Sequence, residues 1–360
     1  MHRKSDGLTP AKHEVWLLLD SLSFGGIETH VVELARGLST HGVNVRVVLL
    51  SQFKQPSAII ERLNAAGLTY SFLCQLANAP NTQSFVKLVR QLHRAITRFS
   101  PYVLHSHGYK ASLISKLARG RTRQLSTFHA GETPKGRVRL YDLLDRYTAF
   151  LSSRVISVSQ GVADKLPCPS VVLNNFITAE AITPSSGEQI AFVGRLSHEK
   201  GPDILLQIAK QMPDLSFEIY GDGPMREQLE QHASPNCHIH GFQADMAAVW
   251  QQVGLLLITS RFEGLPMTAI EAMARGIPVI SAPVGAINSL IEHKQNGWIV
   301  QDSDQFPTLI ANWLAASPTH QQSLRNKARE TVRARFSAQA VIPQVMALYA
   351  LDVSSQPVHR

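Results

Sequence analysis

The sequence predicts an α/β protein of two doubly wound domains, each built on a parallel sheet. Three observations point there. Short apolar runs of strand length alternate with helical patterns along most of the chain, and parallel strands need such crossover helices between them. The 360 residues are enough for two domains with full cores. Between Pro167 and Glu188 the pattern thins to PCPSVVLNNFITAEAITPSSGE, a polar, Pro-bearing stretch that reads as an interdomain linker. We therefore expect a first domain at 1–173, a linker at 174–188, a second domain at 189–336, and a last helix with a polar tail at 337–360.

The first domain opens with Val15–Leu19, an apolar strand, and the turn SLSFGGIET. The helix after it has Ile27, Val31, Leu34, Ala35 and Leu38 as its core stripe. Gly25 and Gly26 sit where a strand turns into a helix, and without Cβ atoms they let the backbone approach a ligand closely. Further strands are expected at Val43–Leu50, Leu68–Cys74, Tyr102–His105, Arg123–Phe128 and Val155–Val158. His105-Ser106-His107-Gly108 ends the fourth strand, and alternation puts both histidines on one side at the carboxyl end, where ligands bind in such sheets. A histidine pair of this spacing suits a metal, yet no third ligand is evident in the sequence. Another histidine, His129, ends the next strand.

The second domain restarts at Ile190–Leu196, a strand ending in Gly194-Arg195. Glu199-Lys200-Gly201-Pro202 then opens a helix, so Arg195 and Lys200 converge at a strand end beside a helix N-terminus, a suitable clamp for a diphosphate. Leu215–Tyr220 leads into the turn Gly221-Asp222-Gly223-Pro224, and Ile239-His240-Gly241-Phe242 ends another strand. The densest stretch is GLLLITSRFEGLPMTAIEAMARGIPVI, residues 254–280. Its apolar start reads as a buried parallel strand, and Pro266 is placed for the first helical position, where its missing amide loses nothing. Gly264 ends a polar loop, and Leu265-Pro266-Met267-Thr268 after it reads as a helix N-terminus that favours an anion. Glu263 and Glu271 flank it with seven residues between them, and a carboxylate accepts well from sugar hydroxyls. Two helices, near Thr319–Arg335 and Ala338–Leu351, close the chain.

The 254–280 stretch resembles the donor site of retaining GT-B glycosyltransferases of the glycogen-synthase-like family 4, also called glycosyl transferases group 1. The resemblance covers nearly all of the chain and is densest over residues 190–300. It implies two Rossmann-like domains facing across a cleft, with the last helix crossing back to the first. It also implies an EC 2.4 activity: a UDP-, GDP- or ADP-sugar donates its sugar to a hydroxyl with retention. No Asp-x-Asp stands beside a likely donor strand, Asp302-Ser303-Asp304 lying late, after the Gly297–Val300 strand, so no metal and no other cofactor is expected. By the same resemblance Glu263 faces the donor sugar and Glu271 binds the ribose. Gly-Arg at Arg195 and the Lys200 loop hold the diphosphate. Gly221 and Gly241 shape the nucleotide pocket through main chain. Gly25 and Gly26 lie over the phosphates, His107 lies against the donor sugar, and Glu28 and His129 lie toward the acceptor. The sequence departs from the family pattern after Gly285-Ala286, where Ile287-Asn288-Ser289 stands in place of a frequent acid.

Charge narrows the partners. The net charge of +8 is uneven: residues 1–170 carry 22 Lys+Arg against 10 Asp+Glu, and residues 171–360 carry 13 against 17. Lys87, Arg90, Arg94 and Arg98 share one face of an expected helix from Ser84 to Phe99, with Lys110, Lys116, Arg119, Arg121 and Arg123 nearby. No aromatic platform or recognition motif accompanies them, which disfavours nucleic acid. An anionic membrane surface presenting a saccharide or lipid-linked acceptor fits better. Three scattered cysteines (Cys74, Cys168, Cys237) and the absence of an apolar leader or membrane-length run suggest a cytoplasmic protein, peripheral at the inner membrane face. Specificity for sugar and acceptor is assigned to loops such as Gly131–Arg139. The alternatives are a nucleotide-sugar epimerase of the same architecture and a catalytically silent binding subunit. A Rossmann dehydrogenase is excluded, because neither first turn carries Gly-x-Gly-x-x-Gly.

Overall fold

The apolar runs pair side by side as parallel strands, and their burial explains why they lack polar alternation. Val15–Leu19 and Val253–Ile258 are buried along their whole length, as expected for central strands covered by helices on both faces. The computed structural model describes residues 13–21, 25–54, 57, 59–129, 137–179 and 182–351. The chain divides into two units: one holds the residues up to Asn175 together with those from Ala338 onward, and the other holds Phe176–Ser337.

The first unit contains β1 (Val15–Leu19), β2 (Val45–Leu49), β3 (Tyr70–Phe72), β4 (Val103–His107), β5 (Arg123–Phe128), β6 (Arg154–Ser157) and β7 (Val171–Val172). Their order in the sheet is β3-β2-β1-β4-β5-β6-β7. The second unit contains β8 (Gln189–Val193), β9 (Phe217–Tyr220), β10 (Cys237–Gly241), β11 (Val253–Ile258), β12 (Val279–Ser281) and β13 (Trp298–Ile299). They are ordered β10-β9-β8-β11-β12-β13. Every pairing is parallel. Each sheet therefore reverses its winding once, between β1 and β4 and between β8 and β11. In doubly wound sheets the crevice outside that switch point is where ligands bind.

The third expected strand is shorter than its apolar run. Leu73–Leu76 forms a helical turn, because Leu73 and Leu76 both reach the core that way, a spacing of three that a strand cannot put on one face. The C-terminal helix Ala338–Tyr349 packs in the first unit against the helix Gly26–Thr40. A Cβ on Gly37 would stand 2.6 Å from the Ile342 side chain, so the glycine sets how closely the two helices approach. Tyr102 Oη donates to Ala350 O (3.0 Å) and Arg123 Nη1 to Tyr349 O (3.0 Å), which ties off the helix end.

Candidate active site

In the second unit the switch point is assembled by backbone. Gly221 has φ +141°, and a Cβ there would lie 1.8 Å from Gly194 O. Gly221 N donates to Gly241 O (2.9 Å) and Leu196 N to Asp222 O (3.0 Å), so the ends of β8, β9 and β10 are stitched together. The loop after β8 is then fastened to the loop after β11. Gly201 adopts φ +64°, where a Cβ would be 2.3 Å from Thr259 O, and Thr259 Oγ1 donates to Gly201 O (2.8 Å). Arg261 adds a fork to Asp203 (2.8 and 2.6 Å), and its amide donates to Glu199 O (2.8 Å).

This stapling decides where Lys200 points. Its Nζ donates to Glu263 Oε1 at 2.6 Å, and Ser260 Oγ donates to the same oxygen at 2.9 Å. The Glu263 side chain is 9% exposed and Lys200 31%. The structure thus gives Lys200 a carboxylate partner, where the sequence suggested a cation held for phosphate alone. Arg195 is exposed, and its side chain has no ion pair or hydrogen bond among the described residues. Arg195 is accordingly the open cation of the two.

Beside them starts the helix Met267–Ala274. Pro266 is its N-cap rather than its first residue, since ψ of 120° keeps Pro266 extended. No side chain caps this end, so its first amides are left to a ligand. The Gly285-Ala286 turn, whose sequence departs from the family pattern, supports the loop from below. Ala286 N donates to Gly264 O (2.7 Å), and a Cβ on Gly285 would be 2.0 Å from that oxygen. Glu271 lies in the second helical turn, and Trp250 Nε1 donates to its Oε2 (3.2 Å). The side chains of Leu265 and Met267 are committed to the core.

In the first unit the switch point collects imidazoles. His105 is fully committed: Nδ1 is hydrogen-bonded to Tyr349 Oη and Nε2 to Thr127 Oγ1, both at 2.6 Å. Burial lowers its pKa to about 3, so the ring is neutral. His107 lies on the same side of β4, its ring 4.3 Å from that of His105. Its Nδ1 is 3.0 Å from His129 Nε2, while its Nε2 is buried with no partner among the described residues. His30, on the helix after Gly25-Gly26, completes the group, with ring centroids 5.5 Å from His107 and 4.8 Å from His129. Burial pushes His30 down to about 4 and holds His107 and His129 well below the usual histidine range. Glu28 is buried, and that desolvation raises its carboxyl pKa.

Two family models match the chain, "Glycosyltransferase Family 4" over residues 24–168 and "Glycosyl transferases group 1" over residues 187–316. The chain belongs to the family 4 glycosyltransferases. HepE of Anabaena, solved in complex with UDP and glucose, superposes with a TM-score of 0.79 at 19% identity, covering 94% of this chain and 100% of that one. The lipopolysaccharide outer core galactosyltransferase WaaB superposes with a TM-score of 0.66 at 17% identity, covering 94% and 99%. These likenesses establish the GT-B fold for this chain. Among curated relatives, the O-antigen biosynthesis glycosyltransferase WbnH of Escherichia coli is 33% identical over 118 residues, 32% of this chain and 34% of that protein. The putative colanic acid biosynthesis glycosyltransferase WcaL of Escherichia coli is 27% identical over 218 residues, 52% and 53% of the two. The matches thus span from a third to about half of these relatives' own length.

In this family 4 glycosyltransferase the basic surface is smaller than its sequence suggests. Lys116 is buried and paired with Asp145 at 2.6 Å, and Lys110 is paired with Asp20. Each had an acid that the linear charge count could not assign to it. Lys87, Arg90, Arg94 and Arg98 are exposed on the helix Phe85–Phe99. The first three line a cleft of about 330 Å³ with Ala79–Thr82 and Gln91. Sequence reading missed an apolar row on and after the helix Arg137–Tyr147: Leu140, Leu143, Leu144, Tyr147, Phe150 and Leu151 are all exposed. Its spacing of three and four was legible, but it was indistinguishable from a core stripe. His30, Ser260, Trp250 and Tyr349 were not singled out either, and no spacing signals them. Of the expected specificity loop Gly131–Arg139, the residues up to Gly136 lie outside the described residues, as does the N-terminal stretch before His13, while Arg137–Arg139 begin a helix.

Proposed function

We propose that this protein transfers a sugar from a nucleotide-diphospho-sugar to a hydroxyl of a saccharide or lipid-linked acceptor, with retention at the anomeric carbon. The observation that carries this reading is the Lys200–Glu263 pair beside the uncapped Met267 helix and the open Arg195, at the switch point of the second sheet. A guanidinium, an ammonium and free amides suit the two phosphates of a UDP-, GDP- or ADP-sugar, while Glu263 and Glu271 suit hydroxyls of sugar and ribose. As the sugar–phosphate bond breaks, these fixed groups stabilise the charge on the departing diphosphate. One such preorganised donor is worth about 10²–10³ in rate, and transfer then needs no metal. His107, neutral and buried, positions the donor sugar; Glu28 and His129 serve the acceptor. The names of the O-antigen and colanic acid relatives favour envelope polysaccharide or glycolipid synthesis.

Work at an inner membrane face is part of the proposal. Among the described residues no helix is long and apolar enough to cross a membrane. An exposed apolar row in the same unit as a cation-lined cleft suits peripheral attachment to an anionic bilayer. The test of the reaction is a panel of sugar nucleotides screened by melting temperature, then proton NMR of the product made with and without EDTA. Retention, with activity unchanged by EDTA, is expected. Inversion, or activity lost to EDTA and restored by Mg²⁺, refutes the mechanism. Donor turnover without acceptor identifies an epimerase instead.

A further inference from the structure

We propose that His30, His107 and His129 form a three-imidazole binding site for a divalent transition ion of the zinc type. One ring nitrogen from each residue lies within 4.8 Å of the other two. The His107 Nδ1–His129 Nε2 pair is already at 3.0 Å. Tetrahedral Zn²⁺ with bonds of about 2.0–2.1 Å needs ligand nitrogens a little over 3 Å apart, so one imidazole must move by roughly 1–2 Å. Three imidazoles leave a fourth position for water or a ligand oxygen.

The cluster differs from a chance meeting of surface histidines in three ways. It draws on three elements: the first helix, the end of β4 and the residue after β5. His30 and His107 are buried and His129 is half-buried, which leaves a way in from that side. Among the described residues the His107 ring has no hydrogen-bond partner outside the cluster: its Nδ1 meets His129 and its Nε2 is buried unpaired, so no other group competes with an ion for the ring. His105 is left out for a visible reason, because both its nitrogens are taken by Tyr349 and Thr127. Imidazole donors favour Zn²⁺, Ni²⁺ or Cu²⁺ over Mg²⁺ and Ca²⁺.

The consequence for turnover rests on the donor-sugar role proposed for His107. An ion on that ring withdraws it from the sugar, so Zn²⁺ inhibits.

The test uses the whole 360-residue chain freed of metal. Calorimetric titration with ZnCl₂ should show one saturable equivalent, with a rise in melting temperature that Mg²⁺ does not give. His30→Gln and His129→Gln should each weaken binding by at least about 10–100-fold, the range that losing even an outer-shell partner costs. Melting of the metal-free variants checks that they fold. If they do not, Co²⁺ added to the wild type decides the matter, since visible d–d bands of a tetrahedral nitrogen-bound ion support the site. Zn²⁺ binding unchanged by both substitutions, or only an aqueous-type Co²⁺ spectrum, overturns it. Zn²⁺ held by these histidines with turnover intact keeps the metal site and removes His107 from the donor site.

Discussion

Replacing Lys200 by Met tests whether the Lys200–Glu263 pair works as a unit. The change removes the ammonium 2.6 Å from Glu263 Oε1 and leaves that carboxylate, 9% exposed, with only Ser260, among the described residues, as a donor to that oxygen. A hydrogen bond to a charged group contributes about 1.5–3 kcal/mol. Lys200 is itself close to a third exposed, so the lower half of that range is the better expectation. Lys200→Met should therefore destabilise the second unit by about 1.5–2 kcal/mol. Glu263→Gln should lose a similar amount, because its amide cannot match the carboxylate. The double variant strands no charge, so its loss should fall short of the sum by at least about 1 kcal/mol. Urea unfolding of all four proteins gives these values, and calorimetry with a nucleoside diphosphate gives the same cycle for affinity. Affinity should fall in Lys200→Met and stay low in the double variant, since Glu263→Gln restores no cation. Additivity within about 0.3–0.5 kcal/mol, or recovered affinity in the double variant, refutes the reasoning.

Other expectations follow from single contacts. Glu271→Ala should weaken nucleoside diphosphate binding by about 1.5–3 kcal/mol, and equal binding by wild type and variant removes the ribose assignment. Gly221→Ala places a methyl group 1.8 Å from Gly194 O at φ +141°. It should lower stability by at least about 3 kcal/mol, and an unchanged melting temperature contradicts the close approach of β8 and β9. Acid should destabilise the first unit. His30 and His105 fall to about 4 and about 3 on folding, so between those values and the ordinary 6.5 the unfolded chain binds more protons. Their stability contribution is complete above about pH 6.5 and declines by about 1.4 kcal/mol per pH unit for each ring below it. Glu28, raised by burial, has the opposite sign and offsets part of this. His107 and His129, held well below the usual range by burial, add to the loss with the same sign, so urea unfolding near pH 5.5 should show a loss of at least about 2–3 kcal/mol relative to pH 7.5, and equal stability at the two refutes it. Replacing Lys87, Arg90, Arg94 and Arg98 with Gln should abolish salt-sensitive binding to anionic vesicles while the fold persists. Equal wild-type binding to neutral vesicles overturns that surface.

The sequence by itself determined most of the strands and the doubly wound, parallel character of both sheets, though it missed β7 and over-extended β3, and it put most of its candidate residues at strand ends. Continuous apolar runs such as Leu255–Ile258, and glycines before helices, are local signals that depend on a few neighbouring residues. Arg195, Lys200, Glu263 and Met267 were legible for that reason. What the tertiary structure decided is who meets whom. Lys200 and Glu263 are 63 residues apart, and His105 and Tyr349 are 244 apart. No periodicity links such pairs, because their meeting depends on strand order and on the stapling of one loop to another by Thr259, Gly201 and Arg261. The same cause removed Lys116 from the surface: its charge was counted along the chain, but its partner Asp145 is reached only when two helices pack. His30 shows the limit most directly. In sequence it is one polar residue in an amphipathic helix, and only the meeting of that helix's first turns with the residues that end β4 and follow β5 makes it the third imidazole of a cluster.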